Sequence, residues 1–362
     1  YYDSFYYIAL SYYFGQGCKQ DYNEAIYYFE LSAKRTNKHE SLFYLGVFYY
    51  NGFGCTKNYT KAMDFFKLSA KQNNSDALVN IGFLYENGYG VEQNYSIARK
   101  FYESSAIMNN NNAFLFLGNL YYEGIGVLKD YTKARYYFEI SAKNDNSDAL
   151  FQLGNIYCYG LGVQKNYERA KDYYELSAKF NNPNAFVNLG FLYENGLGLP
   201  RNFSKAIEFY ELASKQNVSN SFYNLGHIYF NGLGVAKDRL KAIHYFELAA
   251  KQNNSHALLA LGNIYCYGIG LKQNYSKAKE YYESSAKLNN SEAFLNLGDV
   301  YYKGYGVDQN YLKAKEYYEK ASLYNNSTAF FKIANLYLNG NGVEKDYLKA
   351  KKYFELSAQL DD

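Results

Sequence analysis

The apolar residues of this chain recur at intervals of three and four, the spacing that places side chains on one face of a helix. Residues 255–290 show the pattern most clearly, with two apolar stripes separated by a short stretch that contains two glycines. The stripes consist of Ala257, Leu258, Leu261, Ile264 and Tyr265, followed by Ala278, Tyr281, Tyr282, Ser285 and Ala286. The pattern therefore predicts two helices of roughly 12 to 15 residues joined by a turn.

The same unit recurs ten times along the chain, which identifies a repeat array. A glycine in the first predicted helix recurs every 36 residues through repeats two to nine, and alanine takes its place in the first and last repeats. These slots are Ala9, Gly46, Gly82, Gly118, Gly154, Gly190, Gly226, Gly262, Gly298 and Ala334. Together with two turn glycines in each unit they account for all 28 glycines, so none is left for a catalytic loop or a linker.

An aspartate or asparagine precedes the second predicted helix in every unit. Such a side chain at an N-cap accepts a hydrogen bond from a helix N–H that would otherwise lack a partner. The positions are Asp21, Asn58, Asn94, Asp130, Asn166, Asn202, Asp238, Asn274, Asn310 and Asp346. Each second helix is therefore predicted to begin directly after this residue, while the Gly-x-Gly before it suits a turn with positive φ.

These features resemble the Sel1-like repeat, a relative of the tetratricopeptide repeat. The resemblance rests on the pattern A-x-x-x-L-G-x-x-Y-x-x-G-x-G-V-x-x-[DN]-Y-x-K-A-x-x-Y-[YF]-x-x-S-A, which covers essentially the whole chain. It implies an all-α fold, an α-solenoid in which ten 36-residue helix-turn-helix repeats stack into a right-handed superhelix. We therefore expect residues 1–362 to form a single array whose two end repeats are either incomplete or docked against another surface.

The resemblance also implies a non-enzymatic scaffold or adaptor that binds protein or peptide partners through a concave face lined by the first helices. Positions two before, one after and five after the glycine slot share one helical face. The candidate partner-binding residues are Gln152, Asn155, Tyr159, Asn188, Phe191, Asn195, Asn224, His227, Asn231, Asn296, Asp299 and Lys303. Because asparagine both donates and accepts hydrogen bonds, a ladder of these residues suits an extended peptide backbone. Enrichment of asparagine through AT-rich codons is the competing explanation.

Composition and charge narrow the classes of partner. The chain has 38 basic and 35 acidic residues, a formal charge of +3, which argues against a nucleic-acid binder. The sequence contains no apolar run of the length that crosses a membrane. Most of the 47 tyrosines fill repeat slots, so we interpret them as packing residues, with stacking surfaces for a polysaccharide or a protein as the alternative.

No recognisable catalytic, metal or cofactor motif stands out, so we expect no enzyme, no cofactor and no metal site. The four histidines fall in different repeats or slots, and the four cysteines lack metal-ligand spacing. Cys18 and Cys55, on adjacent turns, form the one cysteine pair worth testing as a disulfide. A recurrent glutamate followed four residues later by lysine, as in Glu139–Lys143 and Glu283–Lys287, is interpreted as a helix-stabilising surface pair.

Two other functions stay open. The first is an architectural component of a large assembly that docks through its ends and convex face, which the atypical end repeats favour. The second is a carbohydrate- or cell-wall-binding protein or hydrolase, as in the cysteine-rich branch of the family, although the disulfide in each repeat of that branch is absent here. We expect an intracellular, cytoplasmic location, with the ER lumen as the alternative if a signal peptide lies upstream.

Overall fold

The computed structural model describes residues 4–361, which form twenty α-helices and contain no β-strand. The helices are α1 (Ser4–Phe14), α2 (Tyr22–Thr36), α3 (His39–Asn51), α4 (Tyr59–Ala70), α5 (Ser75–Asn87), α6 (Tyr95–Ile107), α7 (Asn111–Glu123), α8 (Tyr131–Ala142), α9 (Ser147–Tyr159), α10 (Tyr167–Lys179), α11 (Pro183–Asn195), α12 (Phe203–Lys215), α13 (Ser219–Asn231), α14 (Arg239–Ala250), α15 (Ser255–Tyr267), α16 (Tyr275–Ala286), α17 (Ser291–Lys303), α18 (Tyr311–Ser322), α19 (Ser327–Asn339) and α20 (Tyr347–Asp361). The predicted all-α solenoid of ten helix pairs is confirmed.

The chain divides into two compact units, Tyr1–Asn182 and Pro183–Asp362. Helices α1–α10 belong to the first unit and α11–α20 to the second, with odd numbers marking the first helix of each repeat. Within each unit, a helix packs mainly against the helices that precede and follow it in sequence, as expected for a repeat protein. That residues 1–362 form one array stays a prediction, and residues 1–3 and 362 lie outside the described residues.

The slot glycine brings the two helices of a repeat into contact. A Cβ atom placed on Gly190 in α11 would lie 2.5 Å from Cε1 of Tyr210 in α12. At Gly46 the corresponding distance to the ring of Phe66 is 2.6 Å. Both rings are fully buried. The aromatic ring of the second helix therefore fills the space that a side chain on the first helix would need, and the repeat packs closely around this contact.

The predicted caps of the second helices are confirmed. Asn166 Oδ1 accepts from the backbone N–H of Arg169 at 2.9 Å, and Asp346 Oδ1 accepts from Lys349 at 2.9 Å. The cap residue lies in the extended region of backbone space, as at Asn166 with φ −148° and ψ 100°. Each second helix therefore starts where the sequence predicts it.

Further asparagine positions have backbone roles that the sequence analysis missed. A residue one to three positions after the end of the second helix adopts a left-handed conformation with φ between 50° and 62° in nine repeats. These residues are Asn37, Asn73, Asn109, Asp145, Asn181, Asn217, Asn253, Asn289 and Asn325. Asparagine and aspartate tolerate this region better than other residues with a side chain. In most repeats the next residue is also asparagine: Asn254 caps α15 and donates to Asn220 Oδ1 in the preceding repeat at 3.0 Å.

The surface ion pairs run in the opposite direction from the predicted one. Glu139 pairs with Arg135 at 3.5 Å, and Glu283 pairs with Lys279 at 2.9 Å, in each case four residues earlier. The predicted partners Lys143 and Lys287 are instead the C-cap residues of α8 and α16, where a positive charge interacts favourably with the helix end. The glutamate lies on the surface as predicted, but the predicted lysine partner is wrong.

The four cysteines are free thiols, so the structure contains no Cys18–Cys55 disulfide. Cys158 and Cys266 are buried in the first helices of repeats five and eight, whereas Cys18 and Cys55 are half-buried. Burial raises the pKa of Cys158 and Cys266. These two thiols therefore act as small packing residues rather than as activated nucleophiles.

Replacing Gly190 by leucine should destabilise the protein by about 1–3 kcal/mol or more, because the new side chain must displace the Tyr210 ring. Asn195→Ala is the matched control on the same helix. The Asn195 side chain is exposed and donates to the carbonyl of Phe191, so its loss should change stability by no more than about 0.5 kcal/mol. Thermal unfolding followed by circular dichroism measures both, and equal losses would contradict the assignment of core and surface.

Candidate ligand-binding surface on the first helices

The twelve candidate partner-binding residues lie on four first helices. Those on α9 belong to the first unit, and those on α11, α13 and α17 belong to the second. We call the surface formed by the positions two before, one after and five after each slot residue the first-helix face. The exposed members are Tyr159, Phe191, Asn195, His227, Asn231 and Lys303, and the half-buried members are Gln152, Asn155, Asn188, Asn224, Asn296 and Asp299.

The second unit contains a cavity of about 550 Å³ on this face. Three candidate residues, His227, Asn231 and Asn296, lie in its wall, so the structure brings them together. The full lining is Tyr223, His227, Phe230, Asn231, Phe246, Leu259, Ala260, Asn263, Ile264, Tyr267, Ile269, Glu292 and Asn296. We call it the α13–α17 cavity, because three successive first helices contribute most of its wall.

The α13–α17 cavity opens where one slot holds a small residue. Ala260 lies two positions before Gly262, and the same slot in the other repeats holds Tyr, Asn, Gln, Phe or Lys. A methyl group in place of a longer side chain leaves space between α13 and α17. The candidate residues omit Ala260, because a polar or aromatic side chain is the usual sequence signal of a binding face, whereas this cavity is marked by an unusually short one.

The cavity combines an apolar interior with a polar and aromatic rim. Ile264 and Phe246 are buried beneath it, whereas the Tyr267 ring is 67% exposed at its edge. Asn296 Nδ2 donates to Asn263 Oδ1 at 3.1 Å and so links α17 to α15. Ligand sites in proteins share this composition of apolar walls with a few placed polar groups.

The position after the slot glycine has a structural role that the sequence analysis did not recognise. In three repeats its side chain accepts a hydrogen bond from the buried second tyrosine of the second helix. The bonds run from Tyr174 to Asn155 Oδ1 at 2.8 Å, from Tyr282 to Asn263 Oδ1 at 2.8 Å and from Tyr318 to Asp299 Oδ1 at 2.6 Å. Asn155 and Asp299 therefore satisfy a buried hydroxyl as well as facing the surface.

In repeats three and six, where that position is phenylalanine, a glutamate three residues later is the acceptor instead. In repeat six the position holds Phe191, and the Tyr210 hydroxyl donates to Glu194 Oε2 at 2.7 Å. Glu194 Oε1 also lies 3.6 Å from His227 Nδ1. The sequence shows which acceptor is used. Each repeat with a tyrosine in the buried slot has either a polar residue directly after the slot glycine or a glutamate three residues later.

Repeat four has the acceptor without the donor. It has Asn119 at the position after the glycine, but Phe138 in place of the buried tyrosine. Asn119 Oδ1 is shielded from solvent and accepts no hydrogen bond. This amide oxygen therefore carries an uncompensated desolvation cost, which a hydroxyl on the opposite ring would remove.

The buried tyrosine hydroxyls stay protonated over the physiological range. Burial raises the pKa of Tyr210, and the nearby Glu194 carboxylate raises it further. Burial likewise raises the pKa of Tyr318, with an added contribution from its hydrogen bond to Asp299. These tyrosines therefore act as fixed donors that orient the acceptors on the first-helix face.

Two of the exposed candidate amides are anchored to their own helix. Asn195 and Asn231 donate to the carbonyls of Phe191 and His227, each at 2.9 Å. Asp299 forms an ion pair with Lys332 of the next repeat at 3.0 Å. Within residues 4–361 no group of three or more His, Cys, Asp or Glu side chains is arranged to hold a metal ion. The groups that the first-helix face offers to a ligand therefore include amides, aromatic rings and the imidazole of His227.

The helices of residues 4–361 include none that is long and apolar enough to cross a bilayer.

The sequence model of the Sel1 repeat matches ten segments of the chain. These are residues 6–37, 39–74, 75–110, 115–146, 147–179, 185–218, 223–254, 255–290, 291–323 and 329–362. No match is found among curated proteins.

Solved structures share the fold. A protective antigen of uropathogenic Escherichia coli with an SLR fold is 29% identical, with a TM-score of 0.72 over 99% of this chain and 79% of that one. A Sel1 repeat protein from Oxalobacter formigenes is also 29% identical, with a TM-score of 0.63 over 70% of this chain and 100% of that one. A human IFIT1 dimer with PPP-AAAA is 13% identical, with a TM-score of 0.51 over 100% of this chain and 91% of that one, and this likeness shows the fold alone.

Phe138→Tyr should stabilise the protein by about 1 kcal/mol, because the new hydroxyl supplies the donor that Asn119 Oδ1 lacks. The reverse change, Tyr174→Phe, removes the donor to Asn155 and should destabilise by about the same amount. Chemical unfolding curves for the two variants provide the measurement. A loss of stability on Phe138→Tyr would show that the ring cannot present its hydroxyl to Asn119.

Alkaline titration should separate buried from exposed tyrosines. The folded-state pKa of Tyr102, Tyr210 and Tyr318 is raised, chiefly by burial, so the stability linked to these groups is complete below their unfolded value of about 10 and is lost as the pH rises above it. We expect tyrosinate absorbance from exposed rings near this pH, and ionisation of these three only together with loss of the helical circular dichroism signal. Complete ionisation of all 47 tyrosines in the folded state would contradict this.

Proposed function

This chain belongs to the Sel1 repeat family, and we propose that it is a non-enzymatic scaffold that binds an extended segment of a partner protein in the α13–α17 cavity. Proteins built from Sel1 repeats are generally protein-interaction scaffolds. The observation that carries the proposal is the cavity itself, which joins three successive repeats of the second unit on the first-helix face. A partner segment that runs along the cavity from repeat seven to repeat nine crosses α13, α15 and α17 in turn.

The interior of the cavity favours an apolar side chain of the partner. Its volume of about 550 Å³ lies in the range of sites that enclose small ligands. Burying a leucine- or phenylalanine-sized side chain against Ile264 and Phe246 contributes roughly 1.5–3 kcal/mol. The exposed ring of Tyr267 adds a flat contact surface beside the entrance.

The rim of the cavity favours a peptide backbone. Asn231 and Asn296 lie on different first helices, and each amide both donates and accepts. Because a strand-like peptide alternates N–H and C=O groups along its edge, amides from two repeats can bind it at two points. His227 and Glu292 supply additional polar contacts at the edge.

Docking through the last repeat is the second candidate, and one observation favours it. Leu338, Tyr347 and Phe354 line an apolar cavity of about 430 Å³ on α19 and α20. Tyr347 is 66% exposed and Leu348 is 82% exposed. Such a surface suits a packed protein contact rather than an extended peptide.

Ala260→Gln is the variant that tests the α13–α17 cavity. Glutamine occupies the same slot at Gln152, so the fold accepts it, and in repeat eight it should fill the space above Ile264. We expect affinity capture from native extract to lose its specific proteins with this variant. A peptide from a captured protein should then bind Ala260→Gln with affinity lower by about tenfold or more, measured by calorimetry.

Asn80→Gln provides the matched control, because it places glutamine in the same slot of repeat three, in the first unit. It should retain every captured protein. If Ala260→Gln also retains them while Leu348→Ser loses them, the partner docks through the last repeat and the proposal is wrong.

A further inference from the structure

We propose that a second cavity, between repeats four and five in the first unit, binds a phosphate group. This cavity has a volume of about 400 Å³, and its polar lining consists of Arg135, Tyr157, Gln164, Lys165, Asn166 and Arg169. It lies at the N-terminus of α10, away from the first-helix face. The inference is independent of the proposed peptide site, because it uses other residues in the other unit.

The lining carries three positive charges and no carboxylate. Arg135 comes from α8 of repeat four, whereas Lys165 and Arg169 come from the turn and the second helix of repeat five. Two guanidinium groups from adjacent repeats therefore converge on one space. The planar fork of arginine matches the oxygens of phosphate and can donate two parallel hydrogen bonds.

Arg135 reaches the cavity wall with a donor that the protein leaves unsatisfied. Its Nε atom is shielded from solvent and forms no hydrogen bond. The Glu139 carboxylate lies 3.5 Å away as an ion-pair partner without hydrogen-bond geometry. The ion pair engages the Nε edge of the guanidinium and the side chain is 33% exposed, so the remaining N–H donors can reach a ligand in the cavity.

Arg169 and the helix terminus contribute further positive potential. The Arg169 guanidinium lies 5.3 Å from the centre of the Tyr157 ring, and its Nη1 is 3.4 Å from the Tyr157 hydroxyl. That long bond uses one of five N–H donors, so the others can reach a ligand. The N-terminus of α10 adds the partial positive charge of the helix dipole.

No equivalent place combines two arginines with a neutral cap: three have an aspartate cap, and at the others lysine, isoleucine or methionine replaces both arginines. Between repeats three and four, Arg99 occupies the slot of Arg135 and also has an unsatisfied Nε. The cap there is Asp130, which forms an ion pair with Lys133 at 3.8 Å. Asn166 is the neutral counterpart of Asp130, so the carboxylate that would repel an anion is absent between repeats four and five.

Repeat seven shows the same contrast. Its cavity contains Asp238 as the cap, and Lys241 Nζ is bonded to the Tyr229 hydroxyl at 2.8 Å. The slot of Arg135 holds Ile207 there. Two arginines and a neutral cap coincide in the sequence only between repeats four and five.

The test is a titration of the full chain with inorganic phosphate at constant ionic strength, followed by ³¹P NMR line width. Wild type should show saturable broadening. Arg135→Gln and Arg169→Gln should each weaken binding about tenfold, because each loses a charged hydrogen bond to the anion. Absence of saturable broadening in wild type would overturn the proposal.

Asn166→Asp is the sharper variant. Aspartate caps a helix as well as asparagine does, so the melting temperature without phosphate should stay unchanged. It introduces the carboxylate found at Asp130 and should abolish the broadening. Asn94→Asp adds the same charge at the cap of α6, where the neighbouring slot holds Met63, and should bind like wild type. Equal losses in the two Asp variants would show nonspecific attraction and overturn the site.

O-phosphoserine distinguishes the source of the phosphate. Tighter binding of O-phosphoserine than of inorganic phosphate supports a phosphate ester as the ligand, and equal binding supports free phosphate. Binding of unmodified serine with the same affinity would overturn a phosphate site.

Discussion

The contact between the slot glycine of the first helix and the buried ring of the second is the constraint on which the rest of the structure depends. Because the Tyr210 ring occupies the space of a Cβ on Gly190, the two helices lie close together and the ring is completely buried. A buried tyrosine then needs an acceptor for its hydroxyl. Asp299 and Glu194 supply acceptors from the first helix, so the packing of the core determines part of the chemistry of the first-helix face.

The abundance of asparagine has a related origin. Each repeat offers up to three backbone positions that favour Asn or Asp: the cap of the second helix, the left-handed residue after it and the cap of the next first helix. Asn274, Asn289 and Asn290 occupy the three positions around α16. A large share of the asparagines therefore stabilises turns and helix ends, and codon bias is not required to explain them. The amides of Asn231 and Asn296 remain as candidates for binding because they lie on the first-helix face instead.

The sequence predicted the fold and the second-helix caps because each structural requirement is repeated ten times, so chance residues at one position do not obscure it. It also placed His227, Asn231 and Asn296 on one face, and the structure brings these three together. It could not predict the cavity, because a cavity depends on the relative lengths of side chains on neighbouring repeats. Ala260 lines the cavity together with Asn296, the longer side chain in the same slot of the next repeat. The acceptor role of Asn155 was missed for a similar reason, since it requires the position of a ring 19 residues away.

Both candidate sites depend on residues that lie outside the glycine–ring contact. Ala260 shortens a half-buried side chain, and Arg135 and Arg169 place two guanidinium groups beside a neutral asparagine cap. Neither change removes a buried ring or a slot glycine, so each leaves the packing of its repeat intact. A change at Gly190 would instead force the Tyr210 ring out of place. The residues that hold the helices together and the residues that face a ligand are separate sets, joined only by the hydroxyl of the buried tyrosine. Chemically distinct surfaces can therefore form on an otherwise uniform repeat structure at little cost in stability.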